Sequence, residues 1–298
     1  MGEGNQGPLS EGQSPSARWI TLGILVLVHL CLACAIAFIP FKGTNYPNRP
    51  LIGLVLGIIF GQISFTGAWC AFGPGKFFLR VPLALMAASF SGLALAAFML
   101  RTSPNNNNDF WFSVALVLVG WLLLQPPLWM IGILWKRSLR LPDHVHDKSS
   151  QQKQFTLADM LLWTLGVALL LGIGRMALRD VQFTADRTWR WEDTAFFLIF
   201  LAVNFLLAIP VTLVMLTWKQ LSFRFLAAMS WSLVLGVLEC VCLTIMSGQT
   251  ATIEASSLFL IILLNFVHGV VLAGSLFVLT AVGYRWQPNA MPLDRTVH

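Results

Sequence analysis

Apolar residues run along this chain in long blocks separated by short polar intervals. Eight blocks reach 18 residues or more: Trp19–Ile39, Leu51–Phe72, Val81–Leu100, Phe110–Trp135, Leu157–Leu178, Thr194–Thr217, Phe225–Ser247 and Ser257–Gly283. A helix rises about 1.5 Å per residue, so each block is long enough to cross a hydrocarbon core about 30 Å thick. The pattern predicts an all-α polytopic membrane protein of eight transmembrane helices. Tryptophans gather near the block ends (Trp19, Trp69, Trp111, Trp135, Trp163, Trp189, Trp191, Trp218 and Trp286), where indole rings favour the headgroup level.

The longest polar interruption, "KRSLRLPDHVHDKSSQQKQ" at 136–154, divides the blocks four and four. The expected organisation is a disordered cytoplasmic amino terminus (1–18), a first four-helix half (19–135) and a cytoplasmic linker (136–155). A second four-helix half (156–284) and a cytoplasmic tail (285–298) follow. Beyond the linker, Thr156 followed by Asp159 has the form of a capping box, and Phe155 is placed to staple against Met160. The stretch Phe155-Thr156-Leu157-x-Asp159-Met160-Leu161-Leu162 resembles a helix-start segment of uncharacterised bacterial multipass membrane proteins. The resemblance covers about two dozen residues. It implies a bacterial inner-membrane setting and brings no activity with it.

The halves also resemble each other. Thr21-Leu22-Gly23 and Thr164-Leu165-Gly166 are 143 positions apart, as are Lys76 and Lys219; Arg80 and Arg224 differ by 144, and the mid-block amides Gln62 and Asn204 by 142. An even number of helices per unit gives parallel repeats about an axis normal to the membrane. Regular spacing of eight blocks also produces similar offsets without duplication.

Composition sharpens the class. Hydrophobic residues make up 57% of the 298 positions and charged residues only 11%, against about 25% charged in soluble domains, so no water-facing globular surface can be built. The net charge of +6 follows topology and carries no nucleic-acid signature. With a cytoplasmic amino terminus, twelve of the 19 Lys and Arg lie on the cytoplasmic side. The positive-inside bias therefore puts both termini in the cytoplasm. Four of the remaining seven (Arg175, Arg179, Arg187, Arg190) sit beside Asp180, Asp186, Glu192 and Asp193, which nearly neutralise them. Residues 1–18 lack the basic start of a cleavable signal peptide, so the first block reads as a retained anchor. Gln6 stands where a myristoylation signal needs Ser or Thr. All five cysteines fall within blocks, an odd number without a loop framework, and Cys31-Leu-Ala-Cys34 reads as small packing residues.

Membrane helices associate through close packing and polar contacts. Gly53, Gly57 and Gly61 form a stripe on the second block, and Ala84, Ala88, Gly92 and Ala96 form one on the third. The expectation is a tight antiparallel hairpin with these two faces together. Pro126, Pro127 and Pro210 interrupt helical blocks and predict local bends.

The candidate chemistry is one polar layer. Glu239 lies about 4–5 Å to the outer side of the midplane of the seventh block, and His268 about 3 Å to the same side in the eighth. His29, Gln62 and Asn204 are central in their blocks, and Asn265 precedes His268 by one turn. Polar groups in hydrocarbon cost several kcal/mol unless partnered, and ionisable ones point inward. The six form the candidate ligand or proton site.

Two functional readings follow. In one, Glu239 and His268 are a proton-accepting pair and the amides select a ligand, giving a small-solute or proton-linked transporter. In the other, a non-catalytic scaffold or complex subunit, a neutral Glu239 and its companions only bond helices together. A connected cavity touching Glu239 and His268 favours the first and a filled interior the second. No cofactor or metal is expected: a haem between His29 and His268 would place the acid beside the iron, and His144 and His146 in "DHVHD" supply only two ligands. There is no HExxH and no GxSxG turn, so the reading leans away from an enzyme. The expected partners are the lipid bilayer and a small solute or proton, with no nucleic acid; nothing in the sequence sets an oligomeric state.

Overall fold

Length and apolarity alone make these segments helical, because a backbone in hydrocarbon must satisfy its hydrogen bonds internally. The computed structural model describes residues 15–39, 49–73, 77–102, 108–135, 137–140, 204, 207–218, 220–246 and 255–288. Among them are seven helices: α1 (Pro15–Phe38), α2 (Arg49–Phe72), α3 (Phe77–Thr102), α4 (Asn108–Trp135), α5 (Leu207–Thr217), α6 (Leu221–Met246) and α7 (Ala255–Ala281). All but α5 are long and apolar enough to span a membrane, so the protein is an all-α multi-pass membrane protein. The block Leu157–Leu178, the Thr156–Asp159 cap with its helix-start segment and the "DHVHD" stretch lie outside the described residues.

The polarity distribution is that of a bundle in lipid. Ile24, Leu27, Leu226, Leu233, Val237 and Val241 face outward, while Gln62, Asn204, Glu239, Asn265 and His268 are buried. Helix α2 is central, with Val55, Ile59, Phe60 and Ile63 inaccessible, and packs on α7, α3 and α4. Helix α1 lies at the periphery, against α3 and more lightly against α7 and α2.

The glycine stripe of α2 meets a different helix from the one expected. A Cβ at Gly53 would stand 2.6 Å from the Leu260 carbonyl oxygen, one at Gly57 2.6 Å from that of Leu264, and one at Gly61 2.6 Å from Val271. All three belong to α7, at the far end of the chain. The small-residue face of α3 turns to α4 instead: Gly92 lies against Val114 and Val117, and Ala88 is fully buried. Helices α2 and α3 do pack together, but their stripes do not face each other: the glycines of α2 meet α7 and Gly92 of α3 meets α4.

A two-stranded ribbon closes one end of the bundle. Strands β1 (Arg137–Arg140) and β2 (Arg285–Pro288) pair antiparallel, Arg137 opposite Pro288 and Arg140 opposite Arg285. The sequence placed these segments at the start of the linker and of the tail; both start as paired strand. Gly283 makes the turn into β2. Its φ of 102° is left-handed, and the Tyr284 N–H reaches back to the Leu279 carbonyl while Gly283 N–H takes that of Thr280, the capping pattern that ends a helix on glycine. Trp286 then packs edge-on against Phe72 (4.8 Å) and Trp135 (6.4 Å), tying β2 to the ends of α2 and α4.

Four local features recur at near-constant spacing. Helix α6 is α3 displaced by 144 positions at both ends. An arginine in the first turn of each donates to a carbonyl at the end of the preceding helix: Arg80 to Gly73, and Arg224 to Met215. A Cβ at Gly92 would stand 3.5 Å from Val114 Cα and 3.4 Å from Val117 Cβ, while one at Gly236, 144 positions on, would stand 3.3 Å from both Ile262 Cα and Asn265 Cβ. Strand β2 is β1 displaced by 148.

Candidate functional site

The six sequence-predicted residues all face the interior or line a cleft, but they divide into three hydrogen-bonded groups instead of one layer. The first surrounds Glu239 on α6. Its carboxyl accepts a hydrogen bond from Asn204 Nδ2 on one oxygen (3.0 Å) and from Asn265 Nδ2 of α7 on the other (2.6 Å). Asn265 gives its second amide hydrogen to the Ile261 carbonyl (3.1 Å), which fixes the amide with nitrogen toward the acid. Asn265 Oδ1 then has no partner among the described residues. Glu239 is 1% exposed and Asn204 and Asn265 not at all, so the group is sealed.

The second group replaces the expected Glu239–His268 pair. His268 Nε2 shares a 2.8 Å hydrogen bond with Ser64 Oγ of α2, and the edge of Phe60 lies against the ring. His268 Nδ1 is buried and has no partner among the described residues. Ser64 draws the imidazole toward α2 because it extends the glycine stripe by one turn (57, 61, 64), putting a hydroxyl on the face of α2 that packs against α7.

The third group holds α1. His29 Nδ1 donates to the Leu25 carbonyl (2.9 Å), and Nε2 lies 3.1 Å from Ser275 Oγ of α7. Gln62 donates to the His29 carbonyl (3.0 Å) and accepts from Ser91 of α3 (3.0 Å), so a polar line crosses α1, α2 and α3. The Ser275 hydroxyl also reaches the Val271 carbonyl at 2.7 Å. One hydroxyl proton serves one of these two partners at a time.

Two clefts flank α1 and His29 lines both. One, about 360 Å³, is walled by α1, α2 and α3 and includes Gln62, Phe65 and Ser91. The other, about 460 Å³, lies between α1 and α7 and includes Ser275. Neither touches Glu239 or His268. Sequence reasoning missed Ser64, Ser91 and Ser275, which supply partners for His268, Gln62 and His29. The available signal was their place on the same helical faces as the small-residue stripes and as His268. No known protein family matches the chain, and no characterised protein or solved structure does either. Among the described residues no cluster of His, Cys, Asp and Glu has the makings of a metal centre.

Proposed function

We propose that the protein is a proton-linked carrier of small solutes, built from two parallel four-helix repeats in a bacterial inner membrane with both termini cytoplasmic, and that Glu239 is its proton-binding group. The repeat reading rests on the 144-residue displacement of α6 from α3, on the matching arginine caps, and on strands that begin 148 positions apart. Parallel repeats related by an axis along the membrane normal are a carrier architecture, with binding sites near the midplane.

One observation carries the functional reading. The crossing of α3 with α4 and that of α6 with α7 are built alike around Gly92 and Gly236, yet one turn on they differ. Leu95 and Val117 occupy the first crossing, both inaccessible; Glu239 and Asn265 occupy the same places in the second. An aliphatic pair therefore suffices to pack this geometry. A carboxyl and an amide there add desolvation cost without being needed for packing, so their use is chemical. The two amide donors leave each carboxyl oxygen a free lone pair, so the group accepts a proton without breaking either bond.

By the cavity criterion the rival reading, a membrane scaffold or complex subunit, is the one favoured, since Glu239 and His268 are buried away from both clefts. Infrared titration of the purified protein separates the two. The carrier reading expects a protonated-acid carbonyl band that rises and falls with pH and is absent in Glu239→Gln. A band that does not move with pH, or none, leaves the scaffold.

A further inference from the structure

The cleft walled by α1, α2 and α3 is mostly apolar and opens to the outside of the bundle, since Val26, Leu83, Ala87 and Phe90 in its walls are exposed. In a bilayer that opening faces hydrocarbon. Its long walls follow two helical faces. On α3, Leu83, Ala84, Ala87 and Ser91 lie at i+3, i+4, i+7 and i+11 from Arg80. On α2, Gln62, Phe65, Thr66 and Trp69 lead by the same steps to Gly73. One end is therefore the polar line of His29, Gln62 and Ser91, and the other is the bond that Arg80 donates to the Gly73 carbonyl. Ser91 stands eleven residues beyond Arg80. That is about 16 Å of helix, close to half of a hydrocarbon core about 30 Å thick, so the cleft has the depth of one leaflet.

Arg80 lacks a counter-charge. Its Nη1 serves the Gly73 carbonyl, and its Nε has no partner among the described residues. No Asp or Glu lies between Glu11 and Asp109, so none of the three helices walling the cleft supplies an anion. Trp69 marks this end as headgroup level: a Cβ at Gly73 would stand 2.9 Å from its indole nitrogen.

We propose that this cleft is a lipid site, holding one acyl chain of a phospholipid of net negative charge whose phosphate pairs with Arg80. The phosphate supplies the missing counter-charge through a charge-assisted hydrogen bond to the guanidinium. The chain lies along Leu83, Ala84 and Ala87 and ends where Gln62 and Ser91 make the wall polar. A free phosphate ion offers the charge but leaves the apolar walls uncovered. The site is independent of whether Glu239 binds a proton.

Native mass spectrometry of the full-length protein tests this, with phosphatidylglycerol, phosphatidylcholine or inorganic phosphate added to the detergent solution. The wild type should retain one phosphatidylglycerol in preference to phosphatidylcholine, and should not retain inorganic phosphate. Arg80→Gln keeps a donor for the Gly73 carbonyl but removes the charge. It should weaken phosphatidylglycerol binding about tenfold, the scale of a lost hydrogen bond to a charged group, and abolish the preference. Ala87→Phe fills the cleft from an exposed position and should weaken binding of both lipids; it carries the test if Arg80→Gln does not fold. Wild-type phosphatidylglycerol binding in Arg80→Gln, or lipid binding untouched in Ala87→Phe, would overturn the proposal. Inorganic phosphate retained as well as the lipid would mean an anion site alone, and would overturn it too.

Discussion

Asn265 Nδ2 lies 2.6 Å from Glu239 Oε2, one turn beyond the point where Gly236 lets the backbone of α7 come against α6. The acid is thus held beside a close approach of two helices, with the Asn204 amide closing its other side. Asn204→Ala removes one of the two donors and leaves a buried carboxyl oxygen without a protein partner. The expected loss is about 1–3 kcal/mol of stability, read as a lower midpoint in thermal unfolding of the detergent-solubilised protein. Unfolding unchanged from wild type would mean that the Asn204 bond contributes nothing.

Gly57 and Gly23 should respond in opposite ways. A side chain at Gly57 drives into the Leu264 carbonyl and Val267, both on α7, whereas nothing lies within 4 Å of a Cβ at Gly23. Gly57→Leu is expected to destabilise the α2–α7 contact by on the order of 1–3 kcal/mol through overpacking. Gly23→Ala should be neutral or stabilising by up to about 1 kcal/mol, since glycine weakens a helix interior. Comparable melting shifts in the two variants would contradict this assignment of the stripe.

The ribbon predicts a cross-link. Ser138 stands opposite Gln287, and antiparallel partners have Cα atoms roughly 4.5–5.5 Å apart, inside the range a disulfide spans. Mild oxidation of the double variant Ser138→Cys/Gln287→Cys should join the two strands, seen as a linked peptide pair after tryptic digestion. Ser138→Cys paired with Arg285→Cys is out of register and should link poorly; equal yields from both pairs would count against the pairing.

Much of this was legible in the sequence, and the part that was not has a common cause. Hydrocarbon thickness fixes helix length, so the described spans begin and end within a few residues of the apolar blocks. The same physics forces buried polar residues inward, so Gln62, Asn204, Glu239, Asn265 and His268 all proved buried. What the sequence could not supply was helix neighbours. Adjacency along the chain suggested α2 against α3 for the glycine stripe, yet the partner is α7, more than 180 residues away. Equal depth suggested His268 for Glu239, yet bonding depends on how each helix is rotated, and Ser64 claims the imidazole. The strands "RSLR" and "RWQP" show no alternation of apolar and polar residues strong enough to mark them. They are strands because each finds the other, with Trp286 seated on Phe72.

The most direct measurement grafts one crossing onto the other. Glu239→Leu/Asn265→Val gives the α6–α7 crossing the residues of the α3–α4 crossing. Each single change strands a buried polar partner and should cost about 1–3 kcal/mol. The double variant should recover the part of the loss that belongs to the Glu239–Asn265 bond, keeping only the cost of the stranded Asn204 amide, while losing the pH-dependent infrared band. A double variant that melts as low as the two single losses added together would mean that the acid and amide are there to hold the helices, and would contradict the account.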